Sequence, residues 1–235
     1  MPLKVQVLHS SDLHGHYSDL LAFGQPFDVW LDTGDFFPNA ASMGDPGFSV
    51  EAEVEREYQA IWMRGADDLA GRLAAWLAGR PALIMPGNHD YLGLAAALQM
   101  AGADAEEITP AGLEFLDLRW AGFRDVKWMD GHWNGESRDL SEVVAATFAD
   151  EPDVLVTHAP PAVILESELG FGIAALTEAL RTSERVTSHF FGHDHRCGGE
   201  SAEAFGVRFY NGAKQVTLRT VPVPQRSEVS GSPPD

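Results

Sequence analysis

The chain has a single cysteine, Cys197, in 235 residues. That excludes an intramolecular disulfide and fits a reducing compartment. Basic residues are scarce: 16 Lys and Arg stand against 35 Asp and Glu, for a formal net charge of −19. No Lys/Arg-rich run offers a basic track, and the charge works against non-specific attraction to nucleic-acid phosphates. An acidic balance still permits a nucleotide or polyphosphate substrate, because bound dications supply positive charge locally. No apolar run approaches the roughly 20 residues of a membrane span. Residues 1–4 enter a strand without the apolar core of a signal peptide. The expectation is a cytoplasmic protein with no membrane association. Hydrophobic residues make up 45 % of the chain, enough for one substantial core. No repeat or internal boundary interrupts it, so residues 1–220 read as one domain. Residues 221–235, rich in Pro and Ser, read as a flexible tail.

What the sequence does have is a recurring pairing of a strand with a polar turn. Residues 3–9 alternate as a strand and end in Ser10-Ser11-Asp12-Leu13-His14-Gly15-His16. Asp12 and His14, two apart in an extended segment, share a side of the chain. A carboxylate and a neutral imidazole facing one way can grip a transition-metal ion, yet Asp-x-His is common by chance. The arrangement recurs four times. Residues 27–31 end in Asp32-Thr33-Gly34-Asp35, and residues 82–85 in Pro86-Gly87-Asn88-His89-Asp90. Residues 153–156 deliver Thr157-His158, and residues 187–191 deliver Gly192-His193-Asp194-His195.

The intervening stretches read mainly as helix. Residues 17–23, 92–100, 140–148 and 173–180 fit helices. Residues 50–79 read as a helical stretch with Ser49 as N-cap and Gly65 as divider. Leu69, Leu73, Trp76 and Leu77 form a core-facing stripe. Residues 38–49 read as a long loop, either shaping access to a site or a plain surface excursion. Residues 38–65 together are a candidate lid. Residues 111–128 break into short β-like runs that suggest antiparallel strands or a second sheet. Residues 207–210 and 216–220 predict a closing hairpin across residues 211–214.

In open α/β sheets functional groups gather beyond the carboxyl ends of strands. The pooled set is Asp12, His14, Asp35, Asn88, His158, His193 and His195. Singly, each reads equally well as a buried polar group or a cap. Jointly they suit two ions with one bridging carboxylate, and Mn²⁺, Fe²⁺ or Zn²⁺ accept such mixed N and O donors. Two ions about 3.5–4 Å apart can clamp a phosphoryl group during in-line displacement. Hydrolysis of a phosphate ester is the chemistry these residue types fit. His9 and His189 lie inside apolar strands and read as hydrogen-bonded core. His16, His132, Arg124 and Lys127 are candidate substrate contacts. Phe36, Phe37 and Tyr91 read as packing or as a stacking surface for a base, and Cys197 as packing.

Asp12-Leu13-His14, Gly34-Asp35, Gly87-Asn88-His89-Asp90, Thr157-His158 and Gly192-His193-Asp194-His195, in this order, resemble the calcineurin-like metallophosphoesterase superfamily. The resemblance covers residues 5–195 and implies an α/β fold, a four-layer α/β/β/α sandwich with a dinuclear centre at one edge. It implies that Asp12, His14 and His195 bind one metal, that Asn88, His158 and His193 bind the other, and that Asp35 bridges. Two divalent ions are expected, with Mn favoured and Fe or Zn as alternatives. By the same resemblance His89 protonates the leaving oxygen, Asp90 orients His89, and a metal-bridging hydroxide is the nucleophile. The Arg residues that serine/threonine phosphatases carry after their Gly-Asp and Asn-His-Glu elements are missing. Residues 153–161 and 191–195 look more like the small bacterial phosphodiesterases of the class. The expectation is therefore a phosphodiesterase of small phosphate esters or nucleotides. The alternatives are a single-strand nuclease, a phosphomonoesterase, and a non-catalytic scaffold that would have lost ligands or His89.

Overall fold

The computed structural model describes residues 4–40, 50–65, 68–129 and 133–224. The first half of the chain builds one sheet and the helices over it. In order come β1 (Lys4–Ser11), α1 (Ser18–Ala22), β2 (Val29–Asp32), α2 (Ala52–Gly65), α3 (Leu69–Leu77), β3 (Ala82–Ile84), α4 (Leu94–Met100) and β4 (Ala105–Glu107). The second half builds another sheet from β5 (Leu113–Phe115), β6 (Leu118–Phe123), β9 (Val154–Thr157), β10 (Ser188–Phe191), β11 (Ser201–Ala204) and β12 (Val207–Asn211). Between them lie a two-stranded ribbon, β7 (Val126–Lys127) with β8 (Glu136–Ser137), and the helices α5 (Ser141–Phe148) and α6 (Ala174–Thr182). The last strand, β13 (Gln215–Pro222), returns to the first sheet.

The first sheet runs β13-β1-β2-β3-β4, with β13 antiparallel and the rest parallel. The second runs β11-β12-β10-β9-β6-β5, parallel in the middle and antiparallel at both edges. Successive strand residues point to opposite faces, so each buried strand serves two cores. Val7, Val29, Leu31 and Leu83 of the first sheet meet Trp120, Val154, Val156 and Phe190 of the second in one cluster. On the outer face of the first sheet, Leu8, Trp30 and Ile84 pack with Leu69, Leu73 and Leu98 of the helices. On the outer face of the second, Leu155, Phe191 and Phe209 pack with Val144, Leu176 and Leu180. Helices, sheet, sheet and helices are thus stacked in four layers, as the sequence resemblance implied.

One expectation about the second half needs correction, and two edge strands had no counterpart in the sequence pattern. β12 and β13 do not form a hairpin: β12 pairs with β10 and β11, whereas β13 pairs along its whole length with β1. Residues 211–214 carry the chain from one sheet to the other. The apolar pattern that suggested two strands was right, but pairing partners are a non-local choice. The edge strands β4 and β11 carried no strand signal, since Ala-Glu-Glu and Ser-Ala-Glu-Ala are poor β-formers held only by one neighbour. Ser49, His132 and most of the 38–49 loop lie outside the described residues, as do residues 225–235 of the expected tail. β13 carries order to Pro222, and Val221 is buried.

Candidate metal centre

The parallel strands β1, β2, β3, β9 and β10 end at one edge of the sandwich, and each hands its following turn to the same place. The turns are tightly interlocked. Asp12 N–H donates to Gly34 O (2.7 Å), His14 N–H to Asp35 O (2.9 Å) and Gly192 N–H to His158 O (2.9 Å). Asp12, His14, Asp35 and His193 all adopt left-handed backbone, with φ of 53°, 43°, 56° and 65°. Such φ values cost a non-glycine residue roughly 1–3 kcal/mol each and cluster at functional sites. The glycines between the ligands reflect the close approach. A Cβ on Gly87 would run into Asp35 Oδ1, and one on Gly192 into Ser11 Oγ and Asp12 Oδ2.

Each aspartate uses one oxygen to anchor itself and turns the other toward imidazoles. Asp12 Oδ2 accepts from Ser11 Oγ (2.6 Å) and from His193 N–H (2.8 Å), while Oδ1 lies 3.0 Å from His195 Nε2. His14 Nε2 is 3.4 Å from His195 Nε2. Asp35 Oδ1 accepts from His89 N–H (2.8 Å), while Oδ2 lies 3.3 Å from His158 Nε2, 3.8 Å from His89 Nε2 and 4.0 Å from His14 Nε2. Asn88 Oδ1 is 3.0 Å from His158 Nε2, and the His158 and His193 rings lie 4.9 Å apart. Potential ligand atoms fall within 4.8 Å of one another in three groups: Asp12, His14 and His195; Asp35, His158 and His193; and His14, Asp35 and His89. All seven residues pooled from the sequence therefore lie in one cluster.

The sequence matches the family described as calcineurin-like phosphoesterase over residues 5–197. The chain belongs to the calcineurin-like phosphoesterase family. Among solved structures, a dimetal phosphatase from Danio rerio shares the fold at a TM-score of 0.55 and 13 % identity, over 96 % of this chain and 94 % of that one. A candidate 5′-nucleotidase from Staphylococcus aureus, solved with α-ketoglutarate, superposes at a TM-score of 0.53 and 14 % identity over 97 % of this chain. This chain spans 56 % of the nucleotidase's length. No curated protein sequence is a significant match.

The donor chemistry of this cluster fits divalent cations. His158 Nδ1 lies 2.8 Å from Thr33 O, a pure acceptor, so it carries the ring proton. Its Nε2 lone pair then faces Asn88 Oδ1 and Asp35 Oδ2, and three electron-rich atoms converge with no proton between them. A cation resolves that repulsion, and a proton is the alternative. Burial disfavours a charged His158, yet the Asp35 carboxylate overrides it and raises the imidazole to about 10. Burial likewise works against the charge on Asp12, but the His195 hydrogen bond and the charge of His158 hold it down at about 2. The same opposition, won by His158 and His89, holds Asp35 well below the carboxylate range. Burial drives His193 down to about 3, leaving it neutral as a ligand must be.

His89 sits beside this cluster and is fixed on two sides. Its Nδ1 meets Asn39 Nδ2 at 2.5 Å, and its ring lies over the indole of Trp133 with centroids 3.9 Å apart. An amide nitrogen only donates, so Nδ1 accepts and the neutral ring presents Nε2–H to the site. Burial, more than any charge, lowers His89 to about 4. Among the described residues the Asp90 carboxylate makes no hydrogen bond to the His89 ring, contrary to the expectation. Asp90 instead accepts from the backbone N–H groups of Asp35 (2.8 Å), Gly87 (2.8 Å) and Phe37 (3.2 Å), tying two ligand turns together. Burial and the charge of Asp35 push its carboxyl up to about 6.

Sequence reasoning missed Asn39, Trp133 and Gln59. Gln59 Nε2 donates to His89 O (2.7 Å), and its Oε1 accepts from Tyr91 N–H (2.8 Å) and Leu92 N–H (3.0 Å), so α2 braces the turn that carries Asn88 and His89. A usable signal existed. Glu55 and Gln59 share the buried stripe of α2 with Met63, and a polar residue on a core-facing stripe needs a partner. Arg124, a candidate phosphate contact, donates through Nη2 to Gly87 O and Asp90 O. Lys127 reaches Gly170 O, and His16 is exposed. Phe36 and Phe37 are core residues, and Tyr91 is half-buried. His9 and His189 are buried partners of Thr33 Oγ1 and Thr157 Oγ1. Half-buried Cys197 has its thiol pushed up by burial.

Proposed function

We propose that this phosphoesterase is a dinuclear-metal enzyme that hydrolyses small phosphate esters or nucleotides, with diesters preferred. The position of Asp35 Oδ2 carries the reading. It lies within 4.0 Å of His14 from one group of candidate ligands and of His158 from another, which supports the reading that this carboxylate would serve both ions. Asp12, His14 and His195 would hold one ion, and Asn88, His158 and His193 the other. Mn is favoured, with Fe or Zn as alternatives. When bound, the ions supply Lewis acidity toward the phosphoryl oxygens and lower the pKa of a water.

The protein's own groups do the rest. The Nε2–H of His89 faces the cluster and donates to the phosphate or to the leaving oxygen. Asn39 and Trp133 hold that ring in one orientation. Asp90, Gln59 and Arg124 fix the turn that carries Asn88 and His89. The diester preference has a charge argument. A monoester dianion needs more cationic compensation than a diester monoanion, and Arg124, the guanidinium beside the Asn88 turn, already donates to two backbone carbonyls. A phosphomonoesterase is the second reading, favoured by the fold likeness to a dimetal phosphatase.

Metal-stripped protein given back Mn²⁺ should hydrolyse bis-p-nitrophenyl phosphate faster than p-nitrophenyl phosphate. Faster turnover of the monoester moves the assignment to a phosphatase with the same residues. Cleavage of a single-stranded oligonucleotide in preference to cyclic nucleotides moves it to a nuclease. No turnover by protein shown to hold two ions overturns the catalytic reading.

A further inference from the structure

A cavity of about 400 Å³ opens directly beside Asp12 and His14, within the size range of small-ligand sites. It is lined by His16, by Asp19 of α1, by Phe23 just beyond that helix, and by Lys214, Gln215 and Val216 at the entry to β13. The two walls come from opposite ends of the chain. They are held together because Lys214 N–H donates to Ser11 O (2.9 Å) and Ala213 bridges to Ser11. Lys214 sits in a left-handed turn with φ of 56°. Lys214 and Asp19 are exposed, and no ion pair among the described residues includes either. In a chain of net charge −19, a free cation lining the cavity next to two metal ligands is an uncommon placement.

We propose that this cavity is the subsite for the organic group of the substrate, and that it selects a nucleoside-sized ester carrying a second phosphate. The reacting phosphoryl group lies at the Asp12 and His14 end. The second phosphate pairs with Lys214, a flat apolar ring lies against Phe23 and Val216, and sugar hydroxyls donate to Asp19. One ammonium, one carboxylate, the His16 imidazole, the Gln215 amide and the apolar surface of Phe23 and Val216 match that combination of charge, donors and ring. The inference rests on the phosphoesterase reading of the neighbouring centre and names what that centre acts on.

Calorimetry with Mn²⁺-loaded protein in a His89→Gln background, where the ligand is spared turnover, tests it with adenosine 3′,5′-bisphosphate and adenosine 5′-monophosphate. The bisphosphate should bind on the order of tenfold tighter, the size of one charged hydrogen bond. Adding Lys214→Asn, which tolerates the left-handed backbone, should bring the ratio of the two affinities close to one. Lys214→Arg should keep it. Equal affinities in the parent, or a ratio that survives Lys214→Asn, overturn the proposal. Turnover of chromogenic esters by the unmodified protein is measured separately. Its absence would sink the catalytic reading, while the affinity ratio still decides what the cavity recognises.

Discussion

The imidazole of His89 lies against the indole of Trp133, centroids 3.9 Å apart and planes inclined by 32°, in a ribbon connection far from it in sequence. The opposite constraint comes from Asn39 at Nδ1. Stacking limits the tilt of the ring, and the amide selects its tautomer. A neutral histidine that presents one N–H in a fixed direction needs both restraints.

Removing either restraint should lower kcat with little loss of bound metal. Asn39→Ala and Trp133→Ala are each expected to cost roughly 10- to 100-fold, the usual effect of losing a partner that orients a functional imidazole. Trp133→Phe should recover most of the rate by restoring the stack. Paired kcat and metal-content measurements check this, and a proportional loss of metal would contradict it.

Asp35→Asn should reduce both the number of metal ions retained and the turnover, the latter by at least roughly 100-fold. Asparagine matches the carboxylate in size but brings no charge to offset the desolvation of cations in a buried site. Elemental analysis of purified protein gives the stoichiometry directly. Two retained ions in the variant would remove Asp35 from the bridging position.

Gly192→Ala should destabilise the protein by about 1–3 kcal/mol, because its Cβ must displace Ser11 Oγ and Asp12 Oδ2. Denaturant midpoints report the stability. Metal affinity should fall in the same variant, since Asp12 is anchored by the displaced hydroxyl.

The buried histidines outside the centre give a pH prediction. Burial lowers His189 to about 3 from its ordinary 6.5, so the folded ring stays neutral where the unfolded ring takes up a proton. The unfolded state then binds more protons below pH 6.5, and stability falls as pH falls. The contribution is intact above pH 6.5 and is lost by about 1.4 kcal/mol per pH unit on the way toward 3. His189→Leu should flatten this slope relative to the unmodified protein, with both metal-free, in urea titrations between pH 7 and 4. Equal slopes would show that His189 is not the proton acceptor. His9, also lowered to about 3 chiefly by burial, should add a second increment of the same sign.

Much of the centre was legible because its signals are local. A run such as Val-Leu-Val-Thr-His announces a buried strand and the candidate ligand that follows it within five residues, and five such runs in order are enough to pool Asp12, His14, Asp35, Asn88, His158, His193 and His195. The role of Asp90 was not legible. Adjacent in sequence to His89, it spends its carboxylate on the backbone of residues 35, 37 and 87. Which group a side chain reaches from a tight turn depends on φ and ψ, and residue identity does not specify them.

The sequence by itself determined the alternation of strand and helix and the polar turns that follow five of the strands, because periodicity and turn composition act over a few residues, and its family resemblance implied the four layers. Only the tertiary structure decided that β13 joins β1 and not β12, that Asn39 and Trp133 flank His89, that Gln59 braces the turn from α2, and that Lys214 closes a cavity against α1. These relationships join residues separated by tens to hundreds of positions. They follow from how three separate apolar clusters must bury their faces at once, and that condition is met by the packed whole and is not written in any one stretch.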